Sequence, residues 1–171
     1  MAKTKLCNPW QEVEGYNCFG CAPENPIGLR LEFHEEGEEI VSQWMPSPNY
    51  QGWLHILHGG IQATLLDEIC GWCVFRKLQT TGVTSRMETR YLKPVRIEEG
   101  SPLTLRAKII EQKRNWITIE ASITSKEGET CTTARCLYYT FSQEEAREKF
   151  KFTGCYTEEE TETSEKTSNQ S

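Results

Sequence analysis

Between Gly60 and about Leu78 runs the most apolar stretch of the chain, broken by polar residues or glycine at Thr64, Asp67, Glu68 and Gly71. Spacings of three to four residues place these breaks along one stripe of a helix. Such a helix is buried almost all round. The rest of the chain must wrap it while leaving its narrow polar face something to meet.

The flanking segments suit that task. Leu29–Phe33 reads Leu, Arg, Leu, Glu, Phe, the period-two pattern of a half-buried strand, and 35–39 around Gly37 reads as a turn before a second strand over 40–45. Pro46, Pro48, Asn49 and Gly52 mark an irregular loop that leads into the helix. Beyond Thr80-Thr81-Gly82, four β-branched or aromatic runs follow at about 83–92, 103–112, 116–124 and 130–141. The turn-like breaks between them predict a long antiparallel meander. Ser142 ahead of Gln143-Glu144-Glu145 predicts a capped terminal helix. The expected fold is α+β, an antiparallel sheet wrapped around one central helix. The domain is expected over residues 16–152. A weakly patterned segment, 1–15, precedes it, from which Trp10 and Val13 are able to pack on the domain. The tail 153–171 is polar, rich in Glu, Thr and Ser, and expected to be disordered. A sheet with its helix on one face leaves the other face and the edges to be covered, which favours a dimer or higher oligomer.

Composition narrows the classes. The chain of 171 residues suffices for one core without staples. Its net charge of −6 argues against generic nucleic-acid binding. No apolar run approaches a membrane span, and no leader-like segment opens the sequence, so a soluble, cytoplasmic protein is expected. In that setting the eight cysteines should be mostly reduced thiols.

Candidate chemistry gathers at the two ends of the polar stripe. Gly59 and Gly60, lacking Cβ atoms, let a ligand approach unpaired amides at the positive end of the helix dipole. There the developing oxyanion of a thioester attack would be stabilised; the plain alternative is a tight turn. Asp67 and Glu68 lie mid-helix, where an ionised carboxylate needs a cleft or donors, so an acid here suits a general base or nucleophile. The plain alternative is a structural ion pair. Glu68 lies about 100° around the helix from Asp67, so the two are not expected to share a role. The rise of the helix separates Asp67 from the glycine pair by roughly 10 to 12 Å, too far for one thioester. Two such helices antiparallel across a two-fold axis bring the glycine end of one subunit opposite the acid of the other.

The segment GWLHILHGGIQATLLDE resembles the helix motif of the phenylacetate-degradation (PaaI-like) type of acyl-CoA thioesterases in the hotdog superfamily, where His-Gly-Gly is followed by an acid nine residues after the His. CFGCAPENPIGLRLEF and VTSRMETRYLKPV are similar to further segments of that family, and the likeness runs from about Cys18 to Phe141. It implies a hotdog fold that hydrolyses an acyl-CoA thioester as a homodimer or dimer of dimers (homotetramer), with coenzyme A as part of the substrate and no resident cofactor. It implies Gly59, with Gly60, as the oxyanion amide donors, Asp67 as base or nucleophile and His58 as shaping the helix entry. By the same resemblance Gln51 and Thr84, with Ser85 beside it, fall where the family places residues near the attacking water or acyl group.

Other signals are weaker. His58 has no Ser or Cys partner for a triad, so a structural or orienting role is expected, and His55 reads as a loop residue. Cys18-x-x-Cys21 and Cys70-x-x-Cys73 together offer four thiolates. Cys70 and Cys73, however, fall in the apolar helix, where small thiols pack as hydrophobes, so no metal or redox role is expected. Lys93, Arg96, Arg106, Lys108, Lys113 and Arg114 are placed to meet coenzyme A phosphates but read first as solvated strand faces. Trp53, Trp72, Phe75 and Trp116 read as core ahead of pocket. The rival to a hydrolase is a hotdog protein that only binds acyl-CoA or acyl-carrier thioesters.

Overall fold

A computed structural model describes residues 2–168, with side chains described through residue 163. Seven strands form one antiparallel sheet: β1 (Thr4–Lys5), β2 (His34–Glu36), β3 (Glu39–Trp44), β4 (Gly82–Tyr91), β5 (Leu103–Lys113), β6 (Trp116–Thr124) and β7 (Thr130–Thr140). The helix α1 (Gly59–Leu78) lies on one face and touches β3 through β7. Leu65, Leu66, Ile69, Cys70, Trp72, Cys73 and Val74 of α1 are buried against inward residues of the long strands, such as Leu105, Ile117, Ile119, Ile123 and Cys136. The helix therefore supplies the middle of the core, as its composition requires.

Sheet order departs from the expected meander. The strands run β1-β2-β3-β5-β6-β7-β4, so of the four strands after α1 only β5, β6 and β7 pair in sequence. β4 lies at the edge beside β7, and β3 takes the place next to β5. Local turns select hairpins such as β5–β6 through Arg114 and Asn115. Where the strand leaving a 20-residue helix docks is set by the helix, which turn composition does not reveal. The strand expected over 29–33 is also displaced. Leu29, Leu31 and Phe33 are buried in alternation, but Leu29 and Leu31 bond through their amides to the Phe19 and Gly20 carbonyls, and the ladder begins only at His34.

Both ends of α1 are fixed. His58 is the N-cap, its Nδ1 accepting from the Gly60 amide at 2.9 Å, and Gln79 closes the helix in a left-handed conformation (φ 51°). Arg76 and Lys77 in the last turn suit the dipole and clasp Glu35 of β2 at 2.7 and 2.5 Å. The terminal helix α2 (Gln143–Phe150) carries the expected Ser142–Glu145 capping box.

The ends of the chain correct the expectation of a tail from residue 153. Phe152 and Cys155 are buried, Thr157 is bridged by Leu6, and α3 (Glu158–Ser168) follows, its Glu160 paired with Arg76 at 2.9 Å. Charge placed opposite a helix-borne arginine orders a segment that offers few apolar residues. Residues 169–171 of the expected tail lie outside the described residues. At the other end Trp10 packs on Tyr16, Phe75 and Phe152, with ring centroids 6.3, 4.9 and 5.6 Å away.

Candidate active site

Four of the predicted residues, Gln51, His58, Gly59 and Gly60, meet at the N-terminus of α1. The loop before the helix folds back on itself: Gly52 N–H bonds the Ile56 carbonyl, His58 N–H bonds the Tyr50 carbonyl, and Gln51 Oε1 accepts from the His55 amide at 3.1 Å. A cleft of about 420 Å³ opens here, lined by Gln51, Gly52, Trp53, Leu57, His58 and Gly59. Trp53 is 84% exposed at its mouth, an unusual position for a large apolar ring.

The two glycine amides are not equivalent. Gly60 N–H is taken by His58 Nδ1, and a Cβ at Gly60 would sit 3.1 Å from that atom, so glycine here makes room for the cap. Gly59 N–H has no partner among the described residues. At the first turn of a 20-residue helix it is a free donor on the positive end of the dipole. The Gly59 carbonyl accepts from Tyr91 Oη at 2.9 Å, and a Cβ on Gly59 would touch the Tyr91 ring at 3.4 Å. Of the two glycines expected as donors, the structure leaves Gly59 open and engages Gly60.

The second half lies two turns along α1. Asp67 Oδ1 accepts from Thr84 Oγ1 at 2.6 Å and from Tyr138 Oη at 3.0 Å; the same Tyr138 hydroxyl also lies 2.8 Å from the Asp67 carbonyl. Tyr138 on β7 is 4% exposed, and burial, followed by the nearby Asp67 charge, drives its pKa well above the usual phenol range. It therefore keeps its proton and serves as a fixed donor. Thr84 reaches Asp67 because β4 slips by one residue against β7 between Thr84 and Arg86, with Ser85 the extra residue. Tyr138 carried no motif in the sequence. Only the pairing of β4 with β7 brings it opposite Thr84.

Within one chain the halves stay apart. The eight residues from Gly59 to Asp67 span roughly 12 Å of helix, and Ser85 is exposed on the edge strand while Gln51 belongs to the cleft at the helix N-terminus. The structure thus brings Asp67 together with Thr84, and Gln51 together with His58 and Gly59.

The remaining candidates sort themselves by burial and pairing. Trp72 is core, stacked on Phe33 at 4.4 Å, with Phe75 against it, whereas Trp116 packs edge-on against Tyr139 at the surface. Arg106 is held by Glu36 and Glu39, Lys93 by Glu129 and Lys113 by Glu111, which engages three of the six cations considered for phosphate binding. All eight cysteines are free thiols. No helix among the described residues is long and apolar enough to cross a membrane.

An antiparallel sheet carrying one long helix is the hotdog architecture, the fold of solved proteins of the thioesterase superfamily. The family model of that superfamily matches residues 54–132, from the cleft through β7's first residues. Among solved structures, a thioesterase superfamily protein aligns with TM-score 0.65 at 26% identity, over 70% of this chain and 58% of its own length. A hypothetical thioesterase of Streptococcus pneumoniae, solved with coenzyme A, aligns with TM-score 0.61 at 24% identity over 66% and 90% of the two chains. The PaaI protein of the Escherichia coli phenylacetic acid degradation operon aligns with TM-score 0.60 at 18% identity over 67% and 81%. No curated protein matches the sequence.

Proposed function

We propose that this protein hydrolyses acyl-CoA thioesters in active sites shared between two copies of the chain. The observation that carries the reading is the environment of Asp67, an acid on a mostly buried helix with two hydroxyl donors on one carboxylate oxygen and no cationic partner among the described residues. Two neutral donors orient a carboxylate without tying it up in an ion pair, which suits a base or nucleophile better than a structural bridge.

The thioester carbonyl oxygen receives the Gly59 amide of one chain, where negative charge builds as the tetrahedral intermediate forms. Asp67 of the second chain removes a proton from the attacking water, or attacks the carbonyl carbon itself. Collapse of the intermediate expels the thiolate of coenzyme A, leaving the free acid directly or, after attack by Asp67, a mixed anhydride that water hydrolyses to the acid and the regenerated carboxylate. His58 holds the helix entry through its bond to Gly60, and its Nδ1 is thereby occupied and unsuited to proton transfer. Gln51 and Ser85, one in the cleft and one on β4, flank the acyl group. The open edge of β4, which pairs only with β7 among the described residues, supplies the surface on which the second copy docks.

Two features of similar proteins support the substrate class. The streptococcal thioesterase was solved with coenzyme A, and a similar protein of Streptococcus mutans with acetyl-CoA. The test is a panel of straight, branched and aryl acyl-CoA substrates followed by free-thiol release, with Asp67→Asn alongside. Thiol release by the native chain that the variant loses supports the reading. Binding of acyl-CoA without turnover by the native chain would make it a carrier or sensor instead.

A further inference from the structure

Beside Asp67, and turned away from it, lies a cluster that the hydrolytic reading does not use. Cys18-Phe19-Gly20-Cys21 forms a turn closed by the Ala22 amide on the Cys18 carbonyl at 3.1 Å, and it sits directly against Glu68 of α1. Cys18 Sγ lies 3.7 Å from each Glu68 carboxylate oxygen. The two sulfurs and one carboxylate oxygen all fall within 4.8 Å of one another. A Cβ at Gly20 would run into the Glu68 carboxylate, so the glycine inside this Cys-x-x-Cys is what admits the acid. Tyr16 Oη stands 2.9 Å from Cys21 Sγ, and Trp72 Nε1 donates to Glu68 Oε1 at 3.3 Å.

Electrostatically the cluster is one-sided. Its members are two thiols, a phenol and a carboxyl, and Glu68 forms no salt bridge among the described residues. No cation pairs with any of them among the described residues.

We propose that Cys18, Cys21 and Glu68 form a zinc site that clamps the N-terminal segment to α1. Donors around a tetrahedral zinc, at about 2.3 Å for sulfur and 2.0 to 2.2 Å for oxygen, stand roughly 3.5 to 3.8 Å apart, which the 3.7 Å separation of Cys18 and Glu68 meets. The two-residue spacing of the cysteines is that of structural zinc chelates, and two thiolates select zinc over magnesium or calcium. Tyr16 and Trp72 supply the outer hydrogen bonds that orient the ligands. Cys18 is partly exposed, which leaves an entry path and a fourth position for solvent. Cys70 and Cys73, the other cysteine pair of the sequence, are in the core and take no part.

The site would fasten residues 16–22 to the residue next to Asp67, and its existence does not depend on hydrolysis. The test uses the full chain under reducing conditions, stripped with a chelator and titrated with zinc against a chromophoric indicator, then with cobalt(II). The expected result is about one metal per chain, a sulfur-to-cobalt charge-transfer band in the near ultraviolet, and a zinc-dependent rise in Tm. Cys18→Ser and Glu68→Gln should weaken binding at least tenfold, while Cys7→Ser, whose thiol bonds Thr161, should not. Circular dichroism of each stripped variant confirms the fold. Absence of stoichiometric binding by the native chain, or Cys18→Ser binding as tightly as the native chain, would overturn the proposal.

Discussion

The Thr84 hydroxyl donates to Asp67 Oδ1 across 2.6 Å, joining an edge strand to the middle of the buried helix. That bond and the one from Tyr138 fix the carboxylate in one orientation. Asp67→Asn keeps the shape and one acceptor oxygen but loses basicity and nucleophilicity. Turnover should fall by roughly 10² to 10⁴, the usual worth of a positioned base, with Tm little changed. Steady-state thiol release with thermal unfolding checks both halves of the claim.

Under the proposed function, Thr84 acts through Asp67 as a positioning residue. A hydrogen bond to a charged group is worth about 1.5 to 3 kcal/mol, so Thr84→Val should lower kcat roughly ten- to a hundredfold. KM should stay within about twofold if the hydroxyl orients the acid and does not hold the substrate. Thr84→Ser, which keeps the donor, should restore most of the loss.

His58 separates a structural from a catalytic histidine. Removing its bond to the Gly60 amide costs an N-cap, about 1 kcal/mol, so His58→Ala should lower Tm by a few degrees. Activity should fall far less than in Asp67→Asn. A loss of activity as large as that of Asp67→Asn, with the fold intact, would assign His58 to the chemistry.

Glu35 ties β2 to the end of α1 and makes stability depend on pH. Burial raises its carboxyl pKa, but hydrogen bonds and charges from Arg76 and Lys77 outweigh this and leave it below the ordinary value. A depressed folded pKa adds stability that is fully present above the ordinary carboxylate value and is lost as pH falls through the folded one. Glu35→Gln should therefore cost about 1 to 3 kcal/mol near neutrality, and the difference from the native chain should shrink below about pH 4. Chemical denaturation at pH 7 and at pH 3.5 measures both values.

Much of this was legible from residue patterns. The apolar run after Gly60 gave α1 to within one residue, because a helix that fills a core must be apolar all round. The Ser142 capping box was readable because it is local. The strand order was not, since β4 and β7 are about forty residues apart and only packing over α1 makes them neighbours. Tyr138 escaped notice for the same reason. Glu68 was expected only not to share a role with Asp67, because nothing in the sequence reveals that the turn at Cys18–Cys21 folds back against it. The helix at Glu158 was missed because its anchor is Arg76, eighty-four residues earlier than Glu160.

The central claim is that each site draws Gly59 from one chain and Asp67 from another. Gly59→Pro removes the free amide while suiting the helix start: proline is favoured at the first helical position, and His58 already has the extended backbone (φ −58°, ψ 133°) that a following proline demands. Gly59→Pro and Asp67→Asn should each be inactive alone. Co-refolded in equal amounts, half of the dimers are mixed and hold one intact site of two, so activity should return to about a quarter of native. Mixed dimers that form yet recover no activity would contradict the shared site.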